Sequence, residues 1–135
     1  MLQPYEPVEG QLITLQLRLL RAARAYLDPE LQSGKITPEQ AYDVLEKDVM
    51  LSHAFAKEEV ERFTYHSPGQ ANSYFYGYTR LLALRREVEA ALGPKFDQQK
   101  LHDFILAQGL LTPDLMRRAV LETFVPSHER AINND

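Results

Sequence analysis

Tyr65-His66-Ser67-Pro68-Gly69-Gln70-Ala71-Asn72-Ser73-Tyr74-Phe75-Tyr76-Gly77-Tyr78 is the segment on which the reading of this chain turns. Ser67-Pro68-Gly69-Gln70 has the grammar of a helix start, a hydroxyl before a proline with a glutamine closing the turn. From there the spacing of Tyr74, Tyr78, Leu81, Leu84 or Arg85, Val88 and Leu92 persists to Gly93-Pro94, where glycine suits the left-handed position past a helix and proline blocks continuation. The pattern predicts a central helix over about 68–92, roughly 37 Å long and the longest element of the chain.

Outward from that helix the rest of the chain reads as helices too. On the N-terminal side, Gln11 to Leu27 places Leu12, Leu15, Leu19, Ala22, Ala23 and Tyr26 on one stripe, with Ile13, Leu17 and Leu20 widening the apolar surface toward a second neighbour. Asp28-Pro29 is expected to end this helix, since proline removes a donor and disfavours helix in the residue before it. Thr37-Pro38-Glu39-Gln40 opens a second helix running to about Met50, with Ala41, Val44, Leu45 and Val49 inward. Ser52 caps a third through about Thr64, using Phe55, Ala56, Val60 and Phe63. Asp48 to Ser52 reads either as a break or as a kink in one longer helix.

On the C-terminal side, Asp97 caps a helix carrying Leu101, Phe104 and Ile105 to Gly109. Thr112-Pro113 opens another with Leu115, Met116, Ala119, Val120 and Phe124 inward, stopped by Pro126. No stretch alternates β-branched and aromatic residues with period two, and no repeat period emerges. The expectation is an all-α bundle of five to six mostly antiparallel helices in a single domain over residues 1–135, with a frayed leader (1–9) and tail (127–135).

With 135 residues the chain is long enough for one core without staples, and with no cysteine it has no disulfide or thiolate site. Fifteen Lys and Arg against 19 Asp and Glu give a net charge of -4, which argues against nucleic acid as a partner. No apolar run reaches the roughly 18 residues of a membrane span, and Met1 to Glu6 shows no signal-peptide pattern.

Few residues carry chemistry. His128-Glu129-Arg130-Ala131-Ile132 begins like H-E-x-x-H but places isoleucine where the second zinc-binding histidine belongs. His53, His66 and His102 have no carboxylate or histidine at helical spacing that defines a site. Arg80, Arg85, Arg86, Arg117 and Arg118 are balanced by Asp114, Glu87, Glu89 and Glu122, as on a solvated charged face. Tyr74 and Tyr78 share one helix face near Gly77; they read either as an aromatic core stripe or as the frame of a small-molecule pocket.

The pattern Glu59-Val60-Glu61-Arg62-Phe63, Ser67-Pro68-Gly69-Gln70-Ala71, Ser73-Tyr74, Gly77, Leu84-Arg85, Leu92-Gly93, Phe96-Asp97, His102-Asp103, Leu106 and Gly109 resembles the C-terminal part of the bacterial domain-of-unknown-function 885 proteins. Upstream, Leu20-Arg21-Ala22 with Asp28 and Ile36-Thr37-Pro38-Glu39-Gln40-Ala41 fit the same pattern. Full-length members look like helical zinc metallopeptidases. The resemblance implies that their H-E-x-x-H helix and further glutamate ligand lie N-terminal to the matched region, so zinc is implied for full-length relatives while this chain holds no metal or cofactor of its own. It nominates Tyr74 as an oxyanion contact, with Gln70 and Arg62 as substrate or supporting contacts; the helix face shared with Tyr74 adds Tyr78 as a candidate substrate contact. Two positions depart from the family: Phe63 stands where tyrosine is usual, and Gln32 where a histidine commonly follows the first helix.

Two functions from different classes follow. One is a C-terminal helical part of a metallopeptidase-like protein, inactive by itself and forming part of an active-site wall beside a missing N-terminal half. The other is a free-standing interaction module that pairs with a partner or with itself through an apolar face.

Overall fold

The computed structural model describes residues 7–130. Among them every regular element is helical, and the fold class is all-α. The α-helices are α1 (Val8–Gln32), α2 (Pro38–Asp43), α3 (His53–Glu61), α4 (Asn72–Leu92), α5 (Gln98–Ala107), α6 (Pro113–Ala119) and α7 (Val125–Arg130). Wider π turns extend α2 through Val44–Asp48, extend α3 through Arg62–His66, and join α6 to α7 through Val120–Phe124, so the seven segments form six helical rods.

Locally encoded starts fall where the sequence puts them. The Thr37 hydroxyl accepts from the Gln40 amide while the Gln40 side chain accepts from the Thr37 amide, closing the capping box. Ser52 accepts from Phe55, and Asp97 accepts from Gln99 and Lys100. Asp48 to Ser52 is a true break: Met50 adopts φ 62°, and Leu51 N–H donates to Leu45 O at 3.0 Å.

Other expectations change. Helix α1, at 25 residues, is longer than α4, at 21, because it does not stop at Asp28-Pro29. Proline costs a single donor in this last turn, and Ser33 N–H resumes the ladder by donating to Pro29 O at 3.0 Å. Pro126 likewise fails to stop the last rod. There Val125 N–H reaches back five residues to Val120 O, a wider turn that gives the proline ring room. Val8 and Glu9 of the expected leader are helical, as are 127–130 of the expected tail, whereas 1–6 and 131–135 lie outside the described residues.

The chain divides into two compact units, one up to Tyr76 and one from Gly77 on. The first buries Leu20, Ala23 and Leu27 of α1 against Ala41, Leu45, Val49, Ala56, Val60 and Phe63. The second buries Leu84, Val88 and Leu92 of α4 with Leu101, Met116, Val120 and Phe124. The stripe expected to be the core face of α1 is mostly at the surface: Leu12, Leu15, Leu19 and Tyr26 are exposed, and the buried face lies to one side of it.

The start of the central helix is the correction that matters most. Residues 67–71 form a turn, and α4 begins at Asn72. Gly69 sits at φ 76°, the left-handed region that costs a side-chain-bearing residue about 1 kcal/mol or more. A Cβ added there meets nothing within 4 Å. Gly69→Ala is therefore expected to lower stability by about 1 kcal/mol through conformation alone, measurable as a shifted urea midpoint at unchanged slope.

Candidate functional site

The C-terminal half of α1 places Arg24, Asp28 and Gln32 four residues apart, so the three line one face of the helix. Arg24 reaches Glu59 on α3, and Asp28 and Gln32 reach the segment between α3 and α4. Asp28 is fully buried; one carboxylate oxygen accepts from Gly69 N–H and the other from Ala71 N–H, both at 2.8 Å. The Ser-Pro-Gly-Gln turn thus offers its amides to a remote carboxylate. Its Gly69 conformation aims them, as in the backbone nests that bind anions elsewhere.

Arg24 makes a two-pronged pair with buried Glu59, its Nε donating at 2.6 Å and an Nη nitrogen binding the second oxygen. Gln32 donates from Nε2 to Phe63 O at 2.6 Å. Gln32 and the Phe63 backbone, the two positions at which the resemblance expects other residues, therefore meet.

Beyond this frame lies a polar chain at the surface. Arg62 Nη2 donates to Gln70 Oε1 at 2.6 Å, and Gln70 Nε2 stands 3.2 Å from the Tyr74 hydroxyl. Arginine can only donate, which fixes the amide oxygen of Gln70 toward Arg62 and its NH2 toward Tyr74. The phenolic oxygen then accepts, and its own proton is not used by this chain of bonds. Tyr74 is 46% exposed. The hydrogen bond from Gln70, then that from Arg62, with the charges of Arg62 and Arg24 adding, holds its phenol below the ordinary value. Tyr26 and Tyr42 go the other way, raised first by burial and then by neighbouring carboxylates.

Three of the four nominated residues are thereby brought together: Arg62, Gln70 and Tyr74. Tyr78 belongs to the second unit, where it lines an open cavity of about 400 Å³ with Arg85, Leu101, His102 and Ile105. Arg85 is already paired with Glu89 at 2.8 Å and lies over the Phe96 ring. Arg80 pairs with Asp114 and Arg117 with Glu87, as on a solvated charged face.

The reading of residues missed Arg24 and Glu59 and took Asp28 only as a terminator. Their signal was present: three polar side chains at four-residue spacing in an apolar helix, and a lone glutamate beside Ala56, Val60 and Phe63 on the inward face of α3.

The described residues do not fit a zinc ion by themselves. Among the described residues no three His, Asp or Glu side chains converge as ligands. His53 Nδ1 is 2.7 Å from Glu46 Oε1 at the surface. His128 lies against the Phe124 ring and donates from Nδ1 to Phe124 O, while Ile132 is outside the described residues. Among the described residues no helix is long and apolar enough to cross a membrane.

Compared with known proteins, residues 2–120 match the model of a family described as "Bacterial protein of unknown function (DUF885)". No curated protein and no solved structure matches the chain.

Proposed function

The chain belongs to the DUF885 family, and from that premise we propose that it forms part of the wall of a peptide-hydrolysing site whose metal-binding motif lies outside residues 1–135. In this reading Tyr74 presents its hydroxyl to the oxygen that gains negative charge as a peptide carbonyl is attacked. Arg62 and Gln70 hold that hydroxyl in place, and Tyr78 remains a candidate substrate contact. The observation that carries the reading is the order of donors in the Arg62, Gln70, Tyr74 chain, in which the phenolic oxygen accepts from Gln70 and its own proton is not used by that chain. A phenol whose anion is favoured is a stronger donor toward an oxyanion. The resemblance supplies the reaction class, and the H-E-x-x-H motif that would complete it is absent from this sequence.

Two measurements test this. In a pH titration followed by tyrosine ring NMR, Tyr74 should ionise below the ordinary phenol range, ahead of Tyr26 and Tyr42, and Gln70→Ala should move it back upward. No response to Gln70→Ala would remove the tuning. The chain alone should neither retain stoichiometric metal nor hydrolyse peptides. Mixed with the H-E-x-x-H part of a relative, it should support hydrolysis that falls more than about tenfold in Tyr74→Phe. The loss should stay short of the 10²–10³ of an enclosed oxyanion donor, because Tyr74 stands open to water. Hydrolysis by the chain alone, or a Tyr74→Phe mixture as active as the parent, contradicts the proposal.

A further inference from the structure

The exposed side of α1 repeats with the spacing of a coiled coil. Val8, Leu12, Leu15, Leu19, Ala22 and Tyr26 follow one another at intervals of four, three, four, three and four residues, the a and d positions of a heptad. This seam is not the face that builds the core of the first unit, which is Leu20, Ala23 and Leu27. Val8, Leu12, Leu15, Leu19 and Tyr26 are each between 43% and 77% exposed. Beside the seam runs a groove of about 390 Å³ between α1 and residues 48–50, with Leu12, Leu15 and Leu19 on one side and Met50 on the other. Met50 at φ 62° is 71% exposed, and Gln16 ties down this wall by donating to Val49 O at 3.2 Å and Met50 O at 2.9 Å.

We infer that this seam is a self-association surface: two copies of the chain pair through α1 as an antiparallel two-helix coiled coil. The heptad spacing fits a helix as the occupant, since the a and d side chains of one helix set into the holes of a facing helix at that interval. A second copy is favoured by the match of side-chain sizes. When α1 is turned end for end about a point midway between Leu15 and Leu19, Leu15 meets Leu19 of the other copy, Leu12 meets Ala22, and Val8 meets Tyr26. Large thus faces small at every outer layer, and the contact closes on a two-fold axis. A parallel pairing would set Ala22 against Ala22 and Tyr26 against Tyr26, leaving one gap and one crowded layer.

Of the positions flanking the seam, Gln11, Gln16, Ala23 and Ala25 carry no charge, while Glu9 and Arg18 do. With Met50, the seam presents on the order of 600 Å² of apolar surface, approaching the about 800 Å² per partner of a standard interface. The inference is independent of Tyr74 and of any peptidase reading.

The test is sedimentation velocity on the full chain at concentrations up to about 100 μM, where an interface of this size should be populated. The expected result is a species of twice the 15.5 kDa chain mass that reverts to monomer in Leu15→Glu, with circular dichroism unchanged. Because the chain has no cysteine, introduced thiols report pairing directly. An oxidised mixture of Leu12→Cys and Ala22→Cys chains should give the mixed disulfide dimer, and neither variant alone should link to itself. This second readout stands if the glutamate variant fails to fold. A monomer at every concentration, or a dimer that survives Leu15→Glu, overturns the surface. Self-linking by Ala22→Cys overturns the antiparallel pairing.

Discussion

Asp28→Ala should destabilise the chain by about 3–5 kcal/mol, more than any cap or surface substitution in it. The carboxylate accepts from two amides, Gly69 and Ala71, and hydrogen bonds to a charged group contribute about 1.5–3 kcal/mol each. Alanine also leaves the Ala71 amide, in a buried residue, without its acceptor. Asn at this position keeps one acceptor but turns an NH2 group toward the other amide, so Asp28→Asn should cost roughly half as much. Urea unfolding supplies the magnitude, and the amide proton shifts of Gly69 and Ala71 supply the cause, since both should move upfield together in the variant. Were Ser67 to Gln70 an ordinary helix cap, Asp28 would have no role there. A loss below about 1 kcal/mol with unmoved amides would support that simpler description.

The second large effect concerns Arg24 and Glu59. Replacing Glu59 with Leu strands a guanidinium whose side chain is 13% exposed, and breaking a buried pair from one side typically costs about 3–5 kcal/mol. The pair as a whole is worth far less, because both charges had to leave water to form it. The double variant Arg24→Met/Glu59→Leu should therefore recover most of the loss and lie within about 1–2 kcal/mol of the parent. A double-mutant cycle read by urea unfolding checks this. If the two single losses simply add, the pair is not a coupled unit.

What could be read beforehand divides by range. Thr37, Ser52 and Asp97 cap their helices through residues two or three positions away, so the sequence states them locally. Asp28 meets Gly69 and Ala71 across 41 and 43 residues, and no local rule carries that information. Pro29 and Pro126 show the same thing from the other side. Each is a strong local stop, yet the helix continues, past Pro29 with a single donor lost in the last turn and past Pro126 with a widened one. In α1 the difficulty was abundance. With leucines on several faces, periodicity identifies a helix without choosing which face is inward. The division between the two units falls inside α4, where no linker composition exists to mark it. Among the site residues, Gln70 and Tyr74 sit one helical turn apart and are neighbours by spacing alone. Arg62 joins them only because α3 and its wide turn bring it back beside Gln70.

The wide turns at 44–48, 62–66 and 120–124 make the chain sensitive to length in particular places. A π turn holds one residue more than an α-helical turn, and each residue of helix advances the direction of side chains and amides by about 100°. Between Phe63 on the core and Gly69 on Asp28, the extra residue acts as a spacer. Taking one residue out of 62–66 would tighten the turn to a regular helix and swing the Gly69 and Ala71 amides away from the carboxylate. Exchanging one side chain for another at exposed Tyr65 leaves that alignment alone. Here the number of residues, more than their kind, brings the two parts of the site frame into register.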